Sequence, residues 1–254
     1  MRGFMLWAVL LVTLTGCNRD AHSTTSDVSA RRADDPLTAA DLESFLTVVQ
    51  SHAEEMIPEF APLDDDESLD FNAGGEELVG AYREQFKRVF DIQRQAELWR
   101  QDPQWSQALA GRKISFQRFA ALVRDVSLGI MRVRLESRVD LSQLVAQARR
   151  QVDQIVRTMD EIDEVPLAER TRDASAQRTR CVIQLGRAVA LLAFAELVRQ
   201  VPSESAAVVR RYSRQLKPLL PASMNDELLA ELKALATTPE GDVEPARFES
   251  PEDE

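Results

Sequence analysis

The sequence predicts an all-α protein: an antiparallel bundle of about six or seven helices with a long central hairpin, preceded by a signal peptide and a flexible tether. Three observations carry that expectation. Apolar residues recur at spacings of three and four through 37–238, the signature of helices burying one face. No stretch alternates apolar with polar residues between turn signals, as a half-buried strand would. Glycine is scarce, nine in 254 residues, too few for a nucleotide-binding α/β protein built on glycine-rich loops.

Thr38 followed by Asp41 reads as an N-cap with an acid in the first turn. Leu42, Phe45, Val49, His52 and Met56 then form one apolar stripe up to Pro58. Residues 58–77 are an acidic linker. A second helix is expected over 76–101, with Val79, Tyr82, Phe86, Val89 and Phe90 on its buried side and Asp102-Pro103 as its stop. Ser115 caps a third, whose stripe is Phe116, Phe119, Val123, Val126, Ile130 and Val133. The fourth reads Leu141, Val145, Ala148, Val152, Ile155, Met159 and Ile162. Alternation of three and four favours shallow crossings near ~20°. Between these two helices the seam slips by one residue across Ser137, Val139 and Asp140. Asp140 with Gln143 would make a capping box at a tight turn, closing the hairpin. No Gly or Pro enforces that turn, so one continuous helix over 116–163 is the alternative. Pro166 separates a fifth helix, 167–200. It is apolar from 188 to 198 except at Glu196, which predicts a buried central helix. Arg187 and Glu196 argue against a membrane span, and Pro202 ends the helix. Shorter helices are expected at 204–216 and 225–237, the last with Leu228, Leu229, Leu232 and Leu235.

The ends differ in character. Arg2 precedes a 13-residue, almost wholly apolar run at 3–15. As a helix it would extend ~20 Å, short for a bilayer but right for the core of a signal peptide. It closes in Leu14-Thr15-Gly16-Cys17, which resembles the lipobox of bacterial lipoproteins. The resemblance covers these 17 residues only. It implies cleavage after residue 16, diacylation of Cys17 and often acylation of the new amino terminus. Two or three chains anchor stably where one binds marginally. Residues 17–36 would be the acylated cysteine and its tether. Asn18 is not the Asp that marks inner-membrane retention in enteric bacteria, so the outer membrane facing the periplasm is favoured over the inner membrane. Residues 239–254 carry seven acids, one Arg and three Pro, and read as a disordered acidic tail.

Composition narrows the chemistry. Two Cys exclude a disulfide scaffold or a zinc ribbon, and two His leave little for a histidine metal site. No CxxCH occurs, and no cofactor is expected. The net charge of −11 argues against nucleic acid as a partner. It averages unlike parts, however: residues 78–237 sum to +7, while 1–57, 58–77 and 238–254 carry −4, −8 and −6. Arg outnumbers Lys 27 to four, and Arg is the better fork for carboxylate or phosphate. Arg170, Arg172, Arg178 and Arg180 cluster before the apolar helix, either as a solvated face or as a surface for an anionic partner.

Other candidates are local. Asp66, Ser68, Asp70, Asn72, Gly74 and Glu77 follow the ligand spacing of an EF-hand calcium loop. Phe71 stands where the sharp turn wants Gly, Ala73 replaces a larger apolar residue, and Pro58 and Pro62 interrupt the lead-in helix. An acidic linker is the simpler reading. His52 reads as a core histidine, and His22 has no partner at helical spacing. Cys181 reads as a small buried hydrophobe, with an intermolecular disulfide as alternative. Asp160, Glu161, Asp163 and Glu164 oppose the dipole at a helix end, which is unexpected. No catalytic motif is present, and an enzyme is not expected. The expected function is a membrane-anchored envelope lipoprotein with an interaction or structural role, binding a protein or anionic partner. The alternative is a carrier of a lipid or other apolar ligand, with Phe45, Phe86, Phe90, Phe116 and Phe119 as candidate walls. The oligomeric state is left open.

Overall fold

A computed structural model describes residues 35–61, 69–112 and 114–221, together with Ala230 and Leu232. The signal peptide, Cys17, the tether to residue 34, most of the helix expected at 225–237 and the acidic tail lie outside the described residues. Within them the protein is all-helical: α1 (Ala39–Val49), α2 (Gly75–Val89), α3 (Ile92–Arg100), α4 (Pro103–Leu109), α5 (Phe116–Glu136), α6 (Leu141–Asp163), α7 (Arg172–Gln200) and α8 (Ser203–Leu216). Short 3-10 turns follow α6 and α8, at Leu167–Glu169 and Lys217–Leu219.

Side-chain caps start most of these helices. Thr38 Oγ1 accepts the Asp41 amide at 3.2 Å while Asp41 Oδ2 accepts the Thr38 amide at 2.9 Å, a reciprocal capping box. Ser115 and Asp140 cap α5 and α6 as the sequence predicts. The Asp140 carboxylate takes the amides of Ser142 and Gln143 at 2.7 and 3.2 Å, so residues 116–163 are two helices.

Four boundaries differ from expectation. The first helix stops at Val49, because Ser51 Oγ bonds back to the Val48 carbonyl at 2.7 Å and Glu55 adopts a positive φ of 46°. His52 therefore sits in the turn beyond it. The helix expected over 76–101 is broken at Phe90-Asp91. Asp91 Oδ1 caps Gln93 and Arg94, and the fully buried Gln95 amide bonds the Val89 carbonyl at 3.0 Å and both polar groups of the Ala61 backbone. Asp102-Pro103 stops α3 but also starts α4, with Asp102 as cap and Pro103 in the first turn. The fifth expected helix begins at Arg172, where the Thr171 hydroxyl accepts the Ala174 amide.

The helices bury two apolar cores. The first joins α1, α3, α4 and α8 to one face of α5 through Phe45, Trp99, Trp105, Phe119, Val126 and Val209. The second joins α2, α6 and α7 to another face of α5 through Leu128, Met131 and Leu135; Leu232 is fully buried there. The long hairpin is formed by α6 and α7, which make the most extensive helix pair, rather than by α5 and α6. The central position expected for 188–198 also belongs to α5. On α7, Ala188, Leu192 and Ala195 are buried, but Leu191, Phe194 and Leu197 are half-exposed because α6 and α2 cover only part of its circumference. Among the described residues α7 is the one helix long and apolar enough to cross a membrane.

Two glycines permit close helix crossings. A Cβ on Gly129 would come within 2.8 Å of Val209 Cγ2, and one on Gly186 within 2.8 Å of the Tyr82 ring. Tyr82 in turn donates its hydroxyl to the Val182 carbonyl at 3.1 Å. Gly129→Ala is expected to cost about 1–3 kcal/mol in urea unfolding by overpacking the α5–α8 crossing. Gly80→Ala, which meets nothing within 4 Å, is expected to stabilise by up to about 1 kcal/mol. Equal effects of the two would remove the crossing argument.

Candidate functional site

Where the two cores meet, a cleft of about 410 Å³ opens between α2, α5 and α7. Phe86 on α2 and Phe90 just past its end, Leu128 from α5, Ala193 and Leu197 near the end of α7 and Val201 just beyond it form its apolar wall. The opening follows from the packing: Leu197 lies on the α7 face that α6 leaves uncovered. Phe86 and Phe90 meet at 4.9 Å with their rings tilted by 42°, and Phe90 packs on Phe60 at 5.3 Å, so the aromatic wall is tied to the first core. Asp35, the first described residue, stands at the edge.

The charged residues around this wall are mostly paired. Arg124 holds Asp125 at 2.9 Å, Lys87 meets Glu84, and Glu196 is bonded by Arg149 at 2.9 Å. Asp35 also has a polar partner. Arg83 differs. Among the described residues it has no hydrogen-bond or ion-pair partner, and its Nε is buried. Sequence reasoning passed over Arg83, although Arg83, Phe86 and Phe90 stand at helical spacing and share a face.

Of the five candidate wall residues, the structure brings only Phe86 and Phe90 to the cleft. Phe45 and Phe119 are fully buried, their rings 6.1 Å apart. Phe116 lies under the Arg100 guanidinium, 5.7 Å from its ring centre. Aromatic residues at helical spacing had two destinations, and periodicity alone does not separate a core from a groove.

The four arginines of the basic cluster do not all lie on the surface, so Arg170 and Arg178 are not free to meet an anionic partner. Arg178 is buried. It bonds Asp163 through Nε at 2.6 Å, donates to the carbonyls of Asn72 and Ala73 at 3.3 and 2.9 Å, and also bonds the Phe71 carbonyl. Arg170 bonds Asp163 at 2.8 Å and the Val165 carbonyl at 2.8 Å. Only Arg172 and Arg180 are exposed. The guanidinium fork is satisfied internally, where it ties the loop before α2 to the α6–α7 connection. That also accounts for the acid at the wrong end of α6: Asp163 is the acceptor for both arginines, and its ion pairs outweigh the unfavourable dipole.

The remaining candidates have plain surroundings. His52 is buried, stacked on Trp105 at 3.9 Å between ring centres; its Nδ1 accepts the Glu54 amide at 3.3 Å and its Nε2 is buried without a partner. Asp66 and Ser68 lie outside the described residues. Asp70 accepts the Asn72 amide at 2.9 Å in a local turn, Gly74 precedes the first turn of α2, and Glu77 sits in that turn. Among the described residues no three His, Cys, Asp or Glu groups converge as metal ligands. Cys181 is buried within the second core, and burial pushes its thiol up from the ordinary value against the opposing pull of Arg180 and Arg178.

The chain matches no protein-family model, no curated protein and no solved structure.

Two outcomes test these assignments. Arg178→Met is expected to destabilise by about 2 kcal/mol or more, since it leaves three carbonyls without their donor and Asp163 with Arg170 alone, whereas Arg180→Ala should stay within about 0.5 kcal/mol. Thermal and urea unfolding of the pair measure the contrast. For Cys181, maleimide labelling at pH 7 should be slow in the native protein and rise to the rate of a free thiol in denaturant. Fast native labelling would contradict its burial.

Proposed function

We propose that the protein is a bacterial envelope lipoprotein, anchored by acyl groups on Cys17, whose helical body binds a partner rather than catalysing a reaction. The observation that carries this reading is the short apolar run at 3–15 ending in Leu14-Thr15-Gly16-Cys17. Anchoring raises the body's local concentration at the membrane, which suits a module whose individual contacts are weak. The outer membrane facing the periplasm is the favoured site, on the strength of Asn18. The net charge of +7 over residues 78–237 favours an anionic partner, protein or surface. A binding role also fits the two residues most capable of nucleophilic or base chemistry. His52 stacks against Trp105 inside the fold, and the Cys181 thiol is held up by burial.

A second reading, a carrier for an apolar ligand, is favoured by one specific observation: the cleft walled by Phe86, Phe90, Leu128 and Leu197. The two readings are compatible, since a tethered body can also hold a ligand.

The anchor is tested by feeding an alkyne-bearing fatty acid to cells expressing the protein. Wild type should incorporate the label and sediment with membranes, and Cys17→Ser should lose the label. Label retained in Cys17→Ser would remove the lipoprotein reading.

A further inference from the structure

We propose that the cleft between α2, α5 and α7 binds a single free fatty acid, its chain along Phe86, Phe90 and Leu197 and its carboxylate on Arg83. The inference rests on the carrier reading and names its ligand. Three features select this chemistry. The volume of about 410 Å³ lies near the low end of small-molecule sites, which run from ~300 to ~1,000 Å³, and so suits one chain rather than two. Its wall is mainly apolar, with two phenylalanines on one side and aliphatic side chains on the other. Among the described residues, one of its three lining cations lacks a carboxylate partner. Arg124 and Lys87 already hold carboxylates, whereas Arg83 presents a guanidinium with a buried Nε and no acceptor. A buried Nε without an acceptor is costly, and a carboxylate supplies the two parallel acceptors that an Arg fork fits best. The acids at the cleft, Asp35, Asp125 and Glu196, oppose a head bearing more than one negative charge. A carboxylate with its single charge therefore fits better than a phosphate monoester.

The cleft is also well placed for such a ligand. Asp35 lies 18 residues after Cys17, so an extended tether spans at most roughly 60 Å between an anchored Cys17 and the cleft's edge.

The test uses the full chain carrying Cys17→Ser, so that its own acyl groups are absent, titrated with the fluorescent fatty acid cis-parinaric acid. Palmitate and hexadecanol compete as ligands of equal chain length with and without the charge. Palmitate is expected to displace the probe at least about tenfold more effectively than hexadecanol, the scale of a hydrogen bond to a charged group. Arg83→Met should erase that difference by weakening palmitate alone, and Arg83→Lys should retain part of it. Ala193→Trp, which fills the cleft without removing a core contact, should weaken both. Circular dichroism melting confirms that each variant is folded.

Equal competition by palmitate and hexadecanol, unaffected by Arg83→Met but lost in Ala193→Trp, would overturn the carboxylate assignment and leave the carrier reading standing. Binding that survives Ala193→Trp would place the ligand elsewhere and overturn the site. No probe binding at all would overturn both. An acylated wild-type chain that excludes the probe while Cys17→Ser admits it would assign the cleft to the protein's own lipid and overturn an external ligand.

Discussion

Helix α5 must bury two faces at once. Phe119, Val126 and Ile130 enter one core, and Leu128, Met131 and Leu135 enter the other, so no turn of the helix can rotate without exposing one set. Each buried large apolar side chain contributes about 1.5–3 kcal/mol, and six such residues on two faces hold its rotation firmly. The chain on either side is arranged to serve those faces. Residues 92–109 fold onto the first as α3 and α4, and α6 and α7 pair over the second. The chain passes between the cores at Asp91, at the turn over 137–140 and at Pro202. Gly129 adds a distance constraint, since its missing side chain sets how near α8 can lie.

A second, polar constraint holds the far end of the second core. Asp163, Arg170 and Arg178 draw together the end of α6, the loop before α2 and the start of α7. A carboxylate at a helix C-terminus is unfavourable by itself, yet here it meets two guanidinium groups at close range. The sacrifice at the helix end is local, whereas Arg178 joins Asp163, 15 residues away, to backbone carbonyls more than 100 residues away. The same arrangement withdraws two arginines from solvent. A chain with 27 arginines is therefore less adhesive than its composition suggests.

Much of the fold was legible in the sequence because its signals were local. Thr38 with Asp41, Ser115 and Asp140 announced helix starts through a single side chain bonding a nearby amide. The stripes on α1, α5 and α6 pointed to their buried faces. What was not legible depended on distant partners. The break at Asp91 is secured by Gln95 reaching Ala61, a contact no window around residue 91 contains. The exposure of Leu191 and Leu197 depends on which helices lie beside α7. At the cleft, Phe86 and Phe90 could be named from their type, but Arg83 became distinctive only once its neighbours were known to be paired with other residues.

The way residues 35–41 meet the body has a mechanical consequence. Any load on the segment before Asp35 is delivered at the rim of the cleft, one turn from the first anchoring points of the body. Those points, after the polar partner of Asp35 itself, are the Leu37 amide on Ser205 Oγ at 2.8 Å and Asp41 on Arg118 at 2.6 Å. They divide the force between α8 and α5, the two helices that Gly129 brings into closest approach. Strain arriving from the N-terminal side thus reaches α8 and α5 through residues 37–41. The cleft's mouth would feel tension earlier than either core.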